Sequence, residues 1–227
     1  MSKILLSLLI LISFVYGQST NSSDKKEFQL DSIEGLELIN VKEEVVNHKD
    51  KTGIQITKTD GEIKGETLVI ISGINFKNGT ISVELTGELA PDADPNMRGF
   101  VGVAFRVNPE DYSQYECIYL RPTNARADNQ LRRNHSVQYI SHPEYPWYRL
   151  REESPGLYET YVDLEPGEWT KVKIEVSDQM AKLYVHDADQ PCLLVNDLKK
   201  GISEGKIALW LHSSTLARFR NLVVTSK

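Results

Sequence analysis

The sequence predicts an all-β fold, a sandwich of two antiparallel sheets, and three observations carry that prediction. Runs of alternating apolar and polar residues recur along the chain, Gly, Asn, Asp and Pro interrupt them at short intervals, and no stretch shows the apolar period of a long amphipathic helix. With 227 residues, 40% hydrophobic and 26% charged, the chain has apolar material for one sizeable core, so a single domain is expected.

The first segment, Met1 to Gly17, reads MSKILLSLLILISFVYG: one lysine, an apolar run from Ile4 to Tyr16 broken only by two serines, and a small residue before the polar QSTNSSDKK. This is the layout of a secretory signal peptide, too short and wrongly flanked for a membrane span, with cleavage expected after Gly17. No cysteine stands near that point to take a lipid, and no later run approaches the roughly 18 apolar residues of a span. The mature protein is expected to be secreted or periplasmic, with residues 18–35 as a polar N-terminal tail and 36–227 as the sandwich domain.

Along that domain the alternation places strands at Leu36–Val41, Glu44–His48, Gly53–Thr57, Glu66–Ile71, Gly79–Leu85, Gly99–Val107 and Tyr115–Arg121. Further strands follow at Ser136–Ile140, Glu159–Leu164, Thr170–Val176, Met180–His186, Leu193–Asn196, Gly205–Leu211 and Ala217–Val224. In GFVGVAFRV, Val101, Val103, Phe105 and Val107 make one face and Phe100, Gly102, Ala104 and Arg106 the other. The first set is core; the second, small residues ending in an arginine, suits a surface that something approaches closely. In YECIYLR the same split gives Ile118 and Leu120 to the core side and Tyr115, Cys117, Tyr119 and Arg121 to the other. If the two strands are neighbours, Arg106, Tyr115, Tyr119 and Arg121 share a polar and aromatic groove floored by Gly102 and Ala104. By contrast TKVKIEV, a turn at Asp178 and Gln179, and the strand that follows alternate conventionally and read as scaffold.

Charge and cysteine usage exclude several classes. A net charge of −6, from 26 Lys and Arg against 32 Asp and Glu, argues against a nucleic-acid partner, whose phosphates demand a basic face. The two cysteines, Cys117 and Cys192, carry no disulfide framework and no zinc spacing, and read as two apolar thiols. The stretch PDADPNMRG offers Asp92, Asp94 and Asn96 at alternate positions, like the start of a calcium loop. Met97 and Val103 stand where an EF-hand needs glycine and glutamate, so a solvated turn is the expectation and no cofactor is predicted.

Four stretches carry a family resemblance: FKNGTISVELTGELAP, RGFVGVAFRV, the long run from YECIYLRPTNARADNQ to GEWTKVKIEV, and the closing GKIALWLHSSTLARFRNLVV. Together they resemble secreted bacterial domains of the concanavalin A-like lectin/glucanase superfamily, nearest to the laminin-G-like and 3-keto-disaccharide hydrolase-type branches. The resemblance runs from about Leu36 to Val224. It implies a jelly-roll sandwich with ligands held on the concave sheet or at its rim, and it leaves calcium open, since laminin-G-like relatives often carry it. The Glu-x-Asp-x-Glu and Glu-x-Asp-x-x-Glu strands of family-16 glucanases, the Arg-x-Glu-x-Arg strand of jelly-roll alginate lyases and the Gly-x-Ser-x-Gly elbow of lipases do not occur in the chain.

The most unusual segment, 121–161, concentrates arginines, amides and aromatics, which suits carbohydrate recognition. Flat apolar faces stack on sugar rings, and multidentate donors grip hydroxyls and carboxylates. The candidate ligand-binding residues are Arg106, Tyr115, Tyr119, Arg121, Asn124, Arg126, Arg132, Arg133, Gln138, Tyr139, Trp147 and Tyr148. The structural alternative is that Arg–carboxylate pairs and packed aromatics merely tie down a long connection. For catalysis, the candidates are Glu116 and Glu144 as carboxylates and His135 as a base or acid, with Asp128, Glu159 and His142 also at hand and no spacing selecting a pair. The expected partner is a poly- or oligosaccharide, met by a monomer away from any membrane. Glycoside hydrolysis, a non-catalytic glycan-binding module and a laminin-G-like protein-interaction domain all stand as readings.

Overall fold

The structure, a computed structural model, describes residues 24–62 and 65–227. The expected signal peptide and the first part of the polar tail lie outside the described residues. Two antiparallel sheets face each other across one core. The first contains β1 (Asp24–Phe28), β3 (Val41–His48), β4 (Lys51–Lys58), β6 (Gly79–Leu89), β11 (Thr170–Ser177), β12 (Met180–Val185), β13 (Leu193–Val195) and β15 (Thr215–Ser226). Its order is β13-β12-β11-β6-β15-β4-β3, with β1 also paired to β15. The second contains β2 (Leu36–Ile39), β5 (Leu68–Phe76), β7 (Val101–Val107), β8 (Tyr115–Leu120), β9 (Val137–His142), β10 (Glu159–Thr160) and β14 (Gly205–Leu211), in the order β10-β9-β8-β7-β14-β5-β2.

The inward faces follow the period-two pattern. Ile81, Val83 and Leu85 on β6 and Ile174 and Phe219 on its neighbours meet Val101, Val103, Phe105, Ile118, Leu120, Leu209 and Leu211 from the second sheet, all buried. The expected turn at Asp178 and Gln179 joins β11 to β12, with Asp178 in the left-handed region (φ 52°). Three departures from expectation have local causes. The polar tail does not end at residue 35: Asp24–Phe28 already pairs with β15, adding backbone hydrogen bonds that a polar sequence supplies as well as an apolar one. Leu36–Val41 divides between sheets, because Asn40 (φ 57°) turns the chain out of β2 and into β3. The expected strand Glu159–Leu164 keeps only its first two residues, since Ser136 Oγ and the Val162 backbone bind each other in place of a ladder.

The segment 121–161 is not one long loop. It holds α1 (Pro122–Ala125), α2 (Gln130–Arg133), β9, α3 (Trp147–Glu153) and β10, so it both wraps the end of the second sheet and supplies its last two strands. Cys117 and Cys192 are both free thiols.

Candidate functional site

The outward face of the second sheet is set by register. Gly102 lies opposite Tyr119 on one side and Trp210 on the other, and Tyr119 in turn faces Gln138. In the next row Ala104 lies between Cys117 and Ala208. Gly102 has no room for a side chain: a Cβ there would stand 2.3 Å from the Ile118 carbonyl oxygen. The missing side chain lets the rings of Tyr119 and Trp210 from the two flanking strands meet, with centroids 4.8 Å apart, and together they make an aromatic floor.

Over this floor opens a groove of about 480 Å³. Phe100, Tyr119, Trp147 and Trp210 give it aromatic walls, and Arg98, Arg121, Arg132, Arg151, Asn124, His135 and His212 give it polar groups. Among the described residues no carboxylate lines it. Arg121, at the end of β8, donates to the Tyr119 hydroxyl (2.8 Å), the His135 carbonyl (3.1 Å) and the Gln138 amide oxygen (3.4 Å). Its guanidinium also lies 5.1 Å from the Tyr119 ring centroid and 5.8 Å from those of Phe100 and Trp147. Asn124 on α1 donates to the same His135 carbonyl (3.1 Å) and accepts from Arg132 Nε (3.3 Å). The short helices thus hold the backbone at His135 and present Arg132.

His135 places Nε2 3.2 Å from Glu159, whose side chain is 5% exposed and is gripped bidentately by Arg151 (2.6 and 3.1 Å). Burial lowers the pKa of His135, the Glu159 charge opposes that shift, and Arg151 and Arg121 reinforce it. His212 accepts at Nδ1 from the Ser214 backbone N–H (3.2 Å), and burial lowers its pKa also. Burial thus favours the neutral form of both imidazoles.

Of the residues the sequence nominates, Tyr119, Arg121, Asn124, Arg132, His135 and Trp147 line the groove, and Gln138 lies buried beneath Arg121. Others are placed elsewhere. Arg106 leaves the outward face because its backbone is left-handed (φ 54°) at a bulge. It is 2% exposed and donates to the carbonyls of Lys77, Gly201 and Asp178. Tyr115 is buried, hydrogen-bonded to Glu66 and stacked on His142. Tyr139 lies opposite Ile118 and so points into the core, where its hydroxyl donates to Glu116 (2.7 Å). Glu116 is fully buried on that same inward side, and Glu144 is exposed outside the groove. Arg126 pairs with Asp163 and Glu165, Arg133 donates to Tyr161 (2.8 Å), and the exposed Tyr148 packs edge-on against Trp147 beyond the groove lining.

Conversely, sequence reading missed Arg98, Arg151, Trp210 and His212. For the last two a signal existed, because Ala208, Trp210 and His212 alternate in GKIALWLH and share the face opposite the core set. Among the described residues no group of three His, Cys, Asp or Glu side chains is placed to hold a metal. In the expected calcium-like turn, Asp94 accepts from the Asn96 backbone (2.7 Å) and Asp92 pairs with Lys58 (3.3 Å).

Glu116 carries a pH signature. Burial raises its pKa above 4.5, against the N–H of Lys200 and the hydroxyl of Tyr139, which favour the charged form. A carboxyl bound more tightly to its proton when folded contributes its stability below pH 4.5 and loses it as pH rises through the folded value. Denaturation midpoints of the wild type should therefore decline above that pH more steeply than those of Glu116→Gln, which has no proton to lose.

The profile of the 3-keto-alpha-glucoside-1,2-lyase-like domain matches residues 30–225, almost all of the described sandwich. The chain belongs to this family. Solved structures share the family member's fold at low identity. The carbohydrate-binding module CBM66 from Bacillus subtilis superposes with a TM-score of 0.55 at 16% identity, covering 84% of this chain and 95% of its own. A Bacillus subtilis protein of unknown function with a galectin-like fold gives 0.58 at 10%, covering 90% and 98%. Peanut lectin gives 0.52 at 12%, covering 91% and 98%. These likenesses establish a concanavalin A-like jelly roll for the family member. No curated protein matches the chain.

Proposed function

We propose that the concave groove binds a saccharide and that His135 removes a proton beside a sugar carbonyl, so that the glycosidic bond breaks by elimination. One observation carries this reading: an aromatic-walled groove whose titratable groups are two imidazoles that burial holds toward the neutral form, four guanidiniums and the Tyr119 phenol, with no carboxylate among the described residues of its lining. Two-carboxylate hydrolysis needs a pair of acids flanking the bond, about 5 to 9.5 Å apart. Glu116 and Glu144 cannot form one, since one is in the core and the other outside the groove.

The family description names the chemistry that suits such a lining. In a 3-keto glycoside the C2 hydrogen is acidified by the neighbouring carbonyl, and the oxygen on C1 is a leaving group. Contact with Glu159 favours the proton on His135 Nε2 and leaves Nδ1 as the acceptor. Nδ1 takes the C2 proton, and the freed electron pair forms a C1–C2 double bond. The C1–O bond breaks, the departing oxygen takes up a proton from water, and His135 gives the proton it removed to the hydroxide left behind. His212, accepting at Nδ1, keeps its own proton on Nε2 for the keto oxygen. Substrate thus becomes an unsaturated keto sugar and an alcohol, with no change of oxidation state overall.

The expected setting is outside the cytoplasm, which rests on the apolar segment 1–17. Incubating the mature chain with a 3-keto-α-glucoside should release the alcohol and raise the near-ultraviolet absorbance of an enone, while the unoxidised glucoside stays intact. Saturable binding of both sugars without product would leave a recognition module and discard the elimination step.

A further inference from the structure

We propose that the sugar bound in this groove carries an anionic oxygen group, a carboxylate or a sulfate ester, received by Arg98, Arg121 and Arg132. The inference rests on the saccharide reading of the groove and is independent of the elimination step.

The argument begins with missing counter-charges. Elsewhere in the same segment Arg126 is neutralised by Asp163 and Glu165, Arg149 by Glu153 and Arg151 by Glu159, while Arg133 rests on the Tyr161 hydroxyl and ring. Arg98, Arg121 and Arg132 form no ion pair among the described residues. Their contacts are neutral: Arg98 donates to the Met97 carbonyl (3.0 Å), Arg132 to the Asn124 amide, and Arg121 to a carbonyl, a hydroxyl and an amide. Arg121 is only 4% exposed, and unlike Arg106, whose guanidinium is spent on three backbone carbonyls away from the groove, it lies in the groove lining where an anion can complete it.

The three charges also oppose one another. Burial first, and then the charges of Arg132 and Arg121, make the protonated form of Arg98 less favourable than usual, and the charge of Asp94 offsets this only in part. A chain of net charge −6 with 32 acidic residues has carboxylates to spare, yet places none in this lining. Such a cluster is balanced when a bound anion completes it. Guanidinium forks match the paired oxygens of a carboxylate or sulfate, and Phe100, Tyr119, Trp147 and Trp210 provide faces for the ring that bears the group.

The test is a binding screen of the purified mature chain on glycans in matched pairs: uronate oligosaccharides against their methyl esters, and sulfated oligosaccharides against their desulfated parents. The anionic member of at least one pair should bind ten- to a hundredfold more tightly at low salt, with the preference narrowing as salt is raised. Which pair responds distinguishes carboxylate from sulfate. Arg98→Met and Arg132→Met, both at half-buried positions, should each erase most of that preference, whereas Arg126→Met outside the groove should not. Equal binding of charged and neutral members would overturn the inference and leave the saccharide reading intact, as would an anionic preference that survives both groove variants. Binding of no glycan in either series would overturn both.

Discussion

Replacing Arg106 by alanine should cost the fold about 3 to 5 kcal/mol and leave the binding of the remaining folded protein unchanged. The guanidinium ties four separate parts of the chain: Lys77 and Asn78 between β5 and β6, Asp178 at the β11–β12 turn, Gly201 before β14, and β7 itself. Removing it takes the donor from those part-buried carbonyls, each costing up to about 1 to 3 kcal/mol where water does not replace it. Urea denaturation would show the loss as a lower midpoint at an unchanged slope. Arg106→Lys should fall between, keeping a charge but not a planar fork that serves several carbonyls at once. Weakened ligand affinity at full stability would instead return Arg106 to the groove.

His135→Ala should lower turnover on a 3-keto glucoside on the order of 10² to 10⁴-fold, the usual loss of a positioned base, with affinity changed only a few-fold. Glu159→Gln should do less, and its signature is the pH profile. The Glu159 charge raises the pKa of His135 against burial, so removing that charge should move the acidic limb of kcat to lower pH. A merely structural part for Glu159 would reduce kcat without moving that limb. If turnover survives in His135→Ala at the wild-type level, another group is the base, and His212 is the next to test.

Much of the fold was readable because alternation reports faces directly. The core sets of β7, β8, β11 and β12 lie where their period-two patterns put them. Alternation failed where the backbone leaves the regular strand. The bulge at Arg106 moves one side chain off the groove face, and Asn40 sends consecutive strands to different sheets, and neither event has a signature in apolar spacing. Tyr139 was misplaced for a related reason: without the register to β8, VQYISH gives two faces but not which is inward. Within the site, the 121–161 segment announced Arg121, Asn124, Arg132, His135 and Trp147 by composition. Trp210 and His212 sit in a strand that reads as fold, and Arg98 comes from a remote loop, so only tertiary assembly brings them to the groove.

That division has a consequence for how such a protein can diversify. The floor beneath the ligand, Tyr119 and Trp210 over Gly102, is woven from the consecutive strands β7 and β8 and the distant β14, so altering it disturbs the sandwich. Much of the rim comes from one contiguous stretch at the end of the sheet, where β10 has a neighbour on one side only. Exchanging that stretch as a cassette could rewrite selectivity while the scaffold is inherited whole, and β8 is the splice point at which any new rim would have to be grafted.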